Sequence, residues 1–219
     1  LSDQARKYPS FRLLMRAEVT ELIEGPSGIS GVRAITPTGP VEVLAPLTIG
    51  CDGRHSTVRE RAKLQVDVLG APIDVLWMRL SRKPTDPDMP LGRFNQGRVF
   101  VMIDREDYWQ CGFVIPKGGI EEIQRAGIQA FQRQIIEIAP FVADRVDEIQ
   151  SWDDVKLLTV SVDRLRRWSR PGLLCIGDAA HAMSPIGGVG INLAIQDAVA
   201  AANILSEPLN SGTVDEEDL

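Results

Sequence analysis

Cysteine is scarce in this chain, and what there is stands apart. Cys51, Cys111 and Cys175 are odd in number and form no C-x-x-C pair. That excludes a disulfide scaffold and a cysteine zinc site, and it fits a reducing cytoplasm. Histidine is rarer still, with two residues, and no His/Cys/Asp/Glu spacing suggests a metal centre. Positive charge is in deficit: 24 Lys and Arg face 30 Asp and Glu, for a net charge of −6. A nucleic-acid surface needs the opposite balance. The one basic stretch, Asp163-Arg164-Leu165-Arg166-Arg167-Trp168-Ser169-Arg170, reads as a solvated turn before a strand rather than a phosphate site. A signal peptide and a long unbroken apolar run are missing too. The window from Met183 to Leu205 comes closest, but Asn192, Gln196, Asp197 and Asn203 interrupt it. A buried helix of a soluble protein fits it better than a transmembrane span.

What is present is an ordinary globular composition. The 219 residues are 44% hydrophobic and 25% charged, enough for one large domain or two small ones. The first part reads as strands: Phe11 to Arg16, Glu18 to Glu24 and Gly31 to Thr36, with Gly25-Pro26-Ser27-Gly28 as a turn. Val41 to Gly50 is an apolar run leading into Cys51-Asp52-Gly53-Arg54-His55-Ser56. A helix comes next, capped by Thr57 with Glu60 at the third position, or by Ser56. From about Ala71 the character changes. Ile73 to Ser81, Gly97 to Asp104 and Tyr108 to Ile115 predict strands around a Pro- and Asp-rich loop, Lys83 to Pro90. In the second of these, Val99, Val101 and Ile103 form the more apolar face. Ile120 to Ala139 predicts one helix, with Ile120, Ile123, Ile128, Phe131, Ile135 and Ile138 on one stripe. Val155 to Val162 and Leu173 to Ile176 predict strands, and Ile191 to Leu205 a helix. A β-rich block thus interrupts two strand–loop–helix segments that must meet to form one α/β layer.

Two loops carry the chemistry. In the stretch LLCIGDAAHAMSPIGGVGINLAIQDA, from Leu173 to Ala198, a short apolar strand ends at Gly177-Asp178. That delivers a carboxylate to the carboxyl edge of a sheet, where α/β folds bind ligands. Asp178 there suits the hydroxyls of a polyol. Downstream, Pro185-Ile186-Gly187-Gly188-Val189-Gly190 opens directly into a helix. Glycines let backbone approach a flat ligand closely, and the free N–H groups of the helix start favour negative charge. A glycine-rich helix entry packed on a sheet accounts for the same residues about equally well.

These residues also resemble a known pattern. Gly177-Asp178-Ala179-Ala180-His181, followed by Pro185, Gly187, Gly188, Gly190, Asn192 and Asp197, resembles the GD motif of the FAD-dependent monooxygenases typified by p-hydroxybenzoate hydroxylase. Cys51-Asp52-Gly53-Arg54-His55-Ser56-Thr57-Val58-Arg59 resembles that family's DG motif. The resemblance implies an α/β fold: a partial FAD/NAD(P)-binding Rossmann-like domain (residues 1–70 and 163–219) with an inserted α+β substrate domain (71–162). It implies FAD and NAD(P)H as cofactors, with a small organic substrate, aromatic or quinone-like, and molecular oxygen as partners. Flavin reduction by hydride, a C4a-hydroperoxide and oxygen transfer would make up the reaction. Asp178, beside Gly177, would bind the ribityl chain. Pro185, Gly187, Gly188, Val189 and Gly190 would flank the isoalloxazine ring, with the helix start at Ile191 and Asn192 aimed at its pyrimidine side. Asp52 and Arg54 would organise the loop near the pyrophosphate. Trp77, Trp109 and Phe113 would line a substrate pocket, although sheet packing accounts for each of them alone. No catalytic acid–base residue stands out; His181 reads as structural, and oligomeric state is left open. A reductase of the same superfamily without oxygen transfer and a flavin-free remnant are the rival readings. The halogenase pattern W-x-W-x-I-P is absent.

The family's third signature, a G-x-G-x-x-G turn that holds the pyrophosphate, is not found. Gly25, Gly28 and Gly31 have the wrong spacing and lie in a predicted hairpin. The chain therefore reads as a fragment, truncated at both ends. Purified alone, it should retain FAD poorly; a stoichiometric flavin spectrum on the isolated chain would contradict this reading.

Overall fold

The computed structural model describes residues 1–88, 91–95, 97–185, 187–212, 214 and 218–219. Parts of two predicted stretches lie outside these, the end of the Pro-rich loop and Ile186 of the glycine loop, as does most of the chain from 213 to 219. The chain divides into two compact units, Leu1–Leu69 with Val162–Leu219, and Gly70–Ser161. The architecture is mixed α and β, as the sequence predicts.

The first unit opens with one helical turn, α1 (Ser2–Ala5), and an antiparallel meander of β1 (Glu18–Gly25), β2 (Gly28–Thr36) and β3 (Gly39–Leu44). Phe11 to Arg16 forms no strand; Leu13, Leu14 and Met15 are exposed and Arg16 turns the chain at φ +54°. The predicted run from Val41 to Gly50 is broken at Ala45-Pro46, because proline cannot donate to a ladder. Past the break the chain forms a separate strand, β4 (Thr48–Gly50), then α2 (Thr57–Arg61) and β5 (Val66–Val68). After the second unit the chain returns through β11 (Asp163–Leu165), β12 (Ser169–Arg170), β13 (Leu173–Cys175) and the long α5 (Gly190–Ser211). The basic stretch is therefore two short strands rather than a plain turn, with Asp163 and Leu165 buried.

Backbone contact locks β13 in place. Ile29 N–H donates to the Pro171 carbonyl at 2.8 Å, and Thr48 N–H to the Gly172 carbonyl at 2.9 Å. A Cβ on Gly172 would lie 1.9 Å from the Ile29 carbonyl oxygen, so only glycine permits this approach. β13 then runs parallel to β4, pairing Leu173 with Thr48, Leu174 with Ile49 and Cys175 with Gly50. α5 closes one side through Ala201 and Leu205 against Leu174 and Ile176.

The second unit contains β6 (Ile73–Ser81), β7 (Leu91–Asn95), β8 (Arg98–Asp104), β9 (Tyr108–Pro116) and β10 (Lys156–Leu158), in one antiparallel sheet of order β10-β6-β9-β8-β7. Two helices, α3 (Ile120–Ala126) and α4 (Ile128–Ile138), replace the single predicted one. Gly127, at φ +89°, breaks it. Phe131, Ile135 and Ile138 of α4 bury against Leu76, Leu80, Trp109, Phe113 and Ile115. On β8 the inward residues are Phe100 and Met102, both fully buried, and not the Val99, Val101 and Ile103 face expected from hydropathy. Ring packing decides this. Phe100 meets Phe113 at 6.0 Å between centroids, and Phe113 meets Phe131 edge-on at 5.4 Å.

Two buried carboxylates pin the unit. Asp86 accepts from the Trp109 indole at 2.9 Å, from the Lys83 amide at 2.9 Å and from Arg145 at 2.6 Å on both oxygens. Asp74 accepts from Lys117 Nζ and from the amides of Gly118 and Val160, each at 2.9 Å. Burial alone would raise both carboxyl pKa values. The donors outweigh it and hold both below the ordinary carboxylate value. Removing one partner of such a pair leaves a buried charge uncompensated, so Asp86→Ala should lower stability by about 3–5 kcal/mol, read as a reduced urea midpoint. The sign with pH comes from the depressed values. Both contributions are complete above the unfolded pKa of about 3.9 and drain away as pH falls through the lower folded values. The urea midpoint should therefore drop below about pH 4, and less steeply in Asp86→Ala.

Candidate functional site

The register of β4 against β13 determines where the two loops emerge. The strands are parallel and Gly50 is opposite Cys175, so Cys51-Asp52 and Ile176-Gly177-Asp178 leave the same edge. Ile176 N–H donates to the Gly50 carbonyl at 2.9 Å, carrying the pairing one step beyond the strands. The Cys175 thiol lies beneath this edge. Burial pushes its pKa up to about 11, with the Asp52 charge adding to the effect.

The first loop is internally bonded. Asp52 Oδ1 accepts from Ser56 Oγ at 2.5 Å, and Oδ2 accepts from the Val58 amide at 3.1 Å. Ser56 Oγ in turn accepts from the Arg59 amide at 2.9 Å and is the N-cap of α2, in place of Thr57. Asp52 is thus occupied in shaping its own loop. Arg54 is half-buried, its Nε 3.4 Å from His55 Nε2. The residue that reaches furthest is one to which sequence reasoning gave no role. Arg59 donates to the Arg54 carbonyl at 2.5 Å, to Asp163 at 2.8 Å and, at 3.5 Å, to the Ala179 carbonyl. The Arg59–Asp163 side chains are 13% and 6% exposed, so one guanidinium ties the first loop to the turn that bears Asp178.

That turn is a single 3-10 turn, Gly177–Ala179. Gly177, Ala179 and Ala180 are buried, and Asp178 alone points outward. Its carboxylate makes no hydrogen bond among the described residues, in contrast to Asp52, Asp74 and Asp86. His181 is structural: Nε2 lies 2.6 Å from Asp197 Oδ2, and the ring rests on Trp168 with centroids 4.9 Å apart.

Further along, Pro185 accepts from the Gly188 amide at 3.0 Å. Gly187 and Gly188 adopt φ +89° and +64°, and a Cβ on either would meet no atom within 4 Å. Their backbone therefore borders open space. Val189 is 43% and Ile191 70% exposed, Asn192 is exposed, and Gly190 lies against Met183. Among the described residues no side chain caps α5. The Asn192 amide bonds back to the Val189 carbonyl at 3.0 Å, so the N–H groups left to an external acceptor are those that precede it. A polyol acceptor, a backbone bare of side chains and an uncapped helix start together suit a flat, partly anionic ligand with a hydroxylated chain, which describes FAD.

The pocket residues separate. Trp109 and Phe113 are 0% and 2% exposed on the helix-covered face of the sheet and border no open space. Trp77 is half-buried on the opposite face, its ring 3.1 Å from the Cβ position of Gly112.

Comparison with known proteins adds independent findings. A family model described as an FAD binding domain matches residues 1–218. The chain is 37% identical over its full length to 6-methylpretetramide 4-monooxygenase of Streptomyces rimosus, covering 53% of that protein. Among solved structures, Pseudomonas aeruginosa PqsL in complex with 2-aminobenzoylacetate has a TM-score of 0.73 at 22% identity, over 93% of this chain and 56% of that one. OxyS anhydrotetracycline hydroxylase from Streptomyces rimosus has a TM-score of 0.68 at 23% identity, over 96% of this chain and 41% of that one. The chain spans about half the length of the curated relatives it matches. With two loops that resemble the DG and GD motifs on one sheet edge, and a family model covering nearly every residue, the chain belongs to the FAD-dependent monooxygenases, within their FAD-binding domain.

Proposed function

We propose that this chain supplies the ring-binding half of an FAD- and NAD(P)H-using monooxygenase acting on an aromatic or quinone-like substrate of the polyketide kind. One observation carries the reading: the exposed Asp178 carboxylate has no partner among the described residues, on the same chain segment as a bare glycine loop and an uncapped helix start. The names of two relatives, 6-methylpretetramide 4-monooxygenase and anhydrotetracycline hydroxylase, support that substrate class.

Bound FAD would supply the redox chemistry, accepting a hydride from NAD(P)H and activating the oxygen of which one atom enters the substrate. The residues of this chain bind and bias. Asp178 accepts from ribityl hydroxyls, with Gly177 setting its turn. Pro185, Gly187, Gly188, Val189 and Gly190 let the backbone lie beside the ring. The start of α5 at Ile191 and Asn192 stabilises negative charge at the near edge through the helix dipole, which does so without rearranging. Asp52, Arg54 and Arg59 hold the first loop in shape. Trp77, half-buried on the face of the five-stranded sheet opposite α4, offers the substrate an apolar surface; Trp109 and Phe113 serve the core.

In the full-length protein, Asp178→Ala should weaken FAD binding about 10- to 150-fold, the range for losing a hydrogen bond to a charged group. Fluorescence titration measures it, and an unchanged dissociation constant would remove Asp178 from the site. Labelled-oxygen incorporation into a phenolic polyketide tests the reaction. NAD(P)H oxidation that reduces the organic acceptor without oxygen uptake would instead identify a reductase.

A further inference from the structure

The turn that carries Asp178 does not hold itself in place. Ala180 and His181 fold their amides back onto the Gly177 carbonyl at 2.8 and 2.9 Å, which closes the turn. The Leu165 amide and Arg59 hold its Ala180 and Ala179 carbonyls from β11 and the first loop, which leaves the Gly177 amide and the His181 ring to be fastened. The Gly177 amide points elsewhere, to Asp197 Oδ2 at 2.8 Å. The same oxygen lies 2.6 Å from His181 Nε2. Both ends of the turn are thus fastened to one carboxylate oxygen, and that carboxylate stands two turns into α5, the helix whose amino end adjoins the glycine loop. The side chains of Asp197 and His181 are 18% and 17% exposed, so water competes weakly for either contact. The Gly177 site is tight from the other side as well, with its Cβ position 3.1 Å from the Ala194 methyl group.

We propose that Asp197 is a positioning residue for the flavin, a role that rests on the assignment of this edge to FAD. It clamps the turn bearing Asp178 to α5, so that the polyol acceptor and the positive end of the helix are held at one fixed spacing. A carboxylate that accepts from two donors on one turn is a stronger fastening than packing alone, and its loss leaves both donors unpaired in a largely dry place. The clamp also sets His181: with Asp197 facing Nε2, that nitrogen carries the proton. The ring, packed against Trp168 at a tilt of 35°, then stiffens the turn on its far side.

The test uses the full-length protein with Asp197→Ala, Asp197→Asn and His181→Phe. Two readouts are combined: amide hydrogen exchange of residues 177–181 without flavin, and the FAD dissociation constant with the visible flavin spectrum. Asp197→Ala should speed exchange at least tenfold, weaken FAD at least tenfold and shift the visible bands. Asp197→Asn keeps an oxygen for the Gly177 amide and should stay within threefold of the unaltered protein in both. His181→Phe keeps the ring on Trp168 and loses one of the two contacts, so an intermediate loss is expected. It also serves as the test if Asp197→Ala does not fold. Unchanged FAD affinity in folded Asp197→Ala or His181→Phe would overturn the assignment, as would Asp197→Asn behaving like Asp197→Ala. An unaltered protein that takes up no FAD would instead sink the flavin reading on which the assignment rests.

Discussion

Three residue pairs between β4 and β13 are the constraint on which the site depends. They join Thr48–Gly50 to Leu173–Cys175, a closure spanning roughly 125 residues, which costs about 4 kcal/mol of loop entropy on a simple chain estimate. Three pairs of ladder contacts do not offset that alone. Around them lie the Pro171–Gly172 turn against Ile29, the Arg59–Asp163 ion pair and the apolar contact of Leu174 and Ile176 with α5. The first two are formed only when both halves of the first unit are present, so the edge and these two supports form together.

The aspartates of the core and of this edge differ in what they bond to. Asp74 and Asp86 are buried and fully bonded, and Asp52, Asp163 and Asp197 are each spent on holding a neighbouring segment. Asp178 is the exception on this edge, held outward on a turn whose other members are buried. The other aspartates that line this edge are bonded to protein, and among the described residues Asp178 is not.

Much of this is legible in the sequence, for local reasons. Asp178 and the glycine loop announce themselves because strand end, turn and helix start succeed one another in the chain. The strands of the second unit show through their apolar content. The face of β8 is not legible in the same way. Alternation yields two faces without saying which is covered, and bulk at Phe100 and Met102 decides it through ring contacts with β9 and α4. Gly127 reads as one glycine in an apolar stripe, yet its positive φ ends one helix and starts another. Partners distant in sequence are the hardest. Nothing near Arg59 points to Asp163, and nothing near Trp109 points to Asp86, because pairing across such separations leaves no periodicity. Trp109 therefore looks like a pocket residue in the sequence and is a core residue in the fold.

The insertion of the second unit between β4 and β13 bears on how the polypeptide matures on the ribosome. Gly70–Ser161 is contiguous and carries its own sheet and helices, with β7, β8 and β9 paired as successive hairpins, so it can fold as a unit before the rest of the chain is made. Among the described residues the strand that pairs with β4 is β13, which is made after the second unit. Nascent chains released only to about residue 165 should therefore hold a protease-resistant middle and a vulnerable beginning, and protection of both would show that the early segment finds a partner sooner.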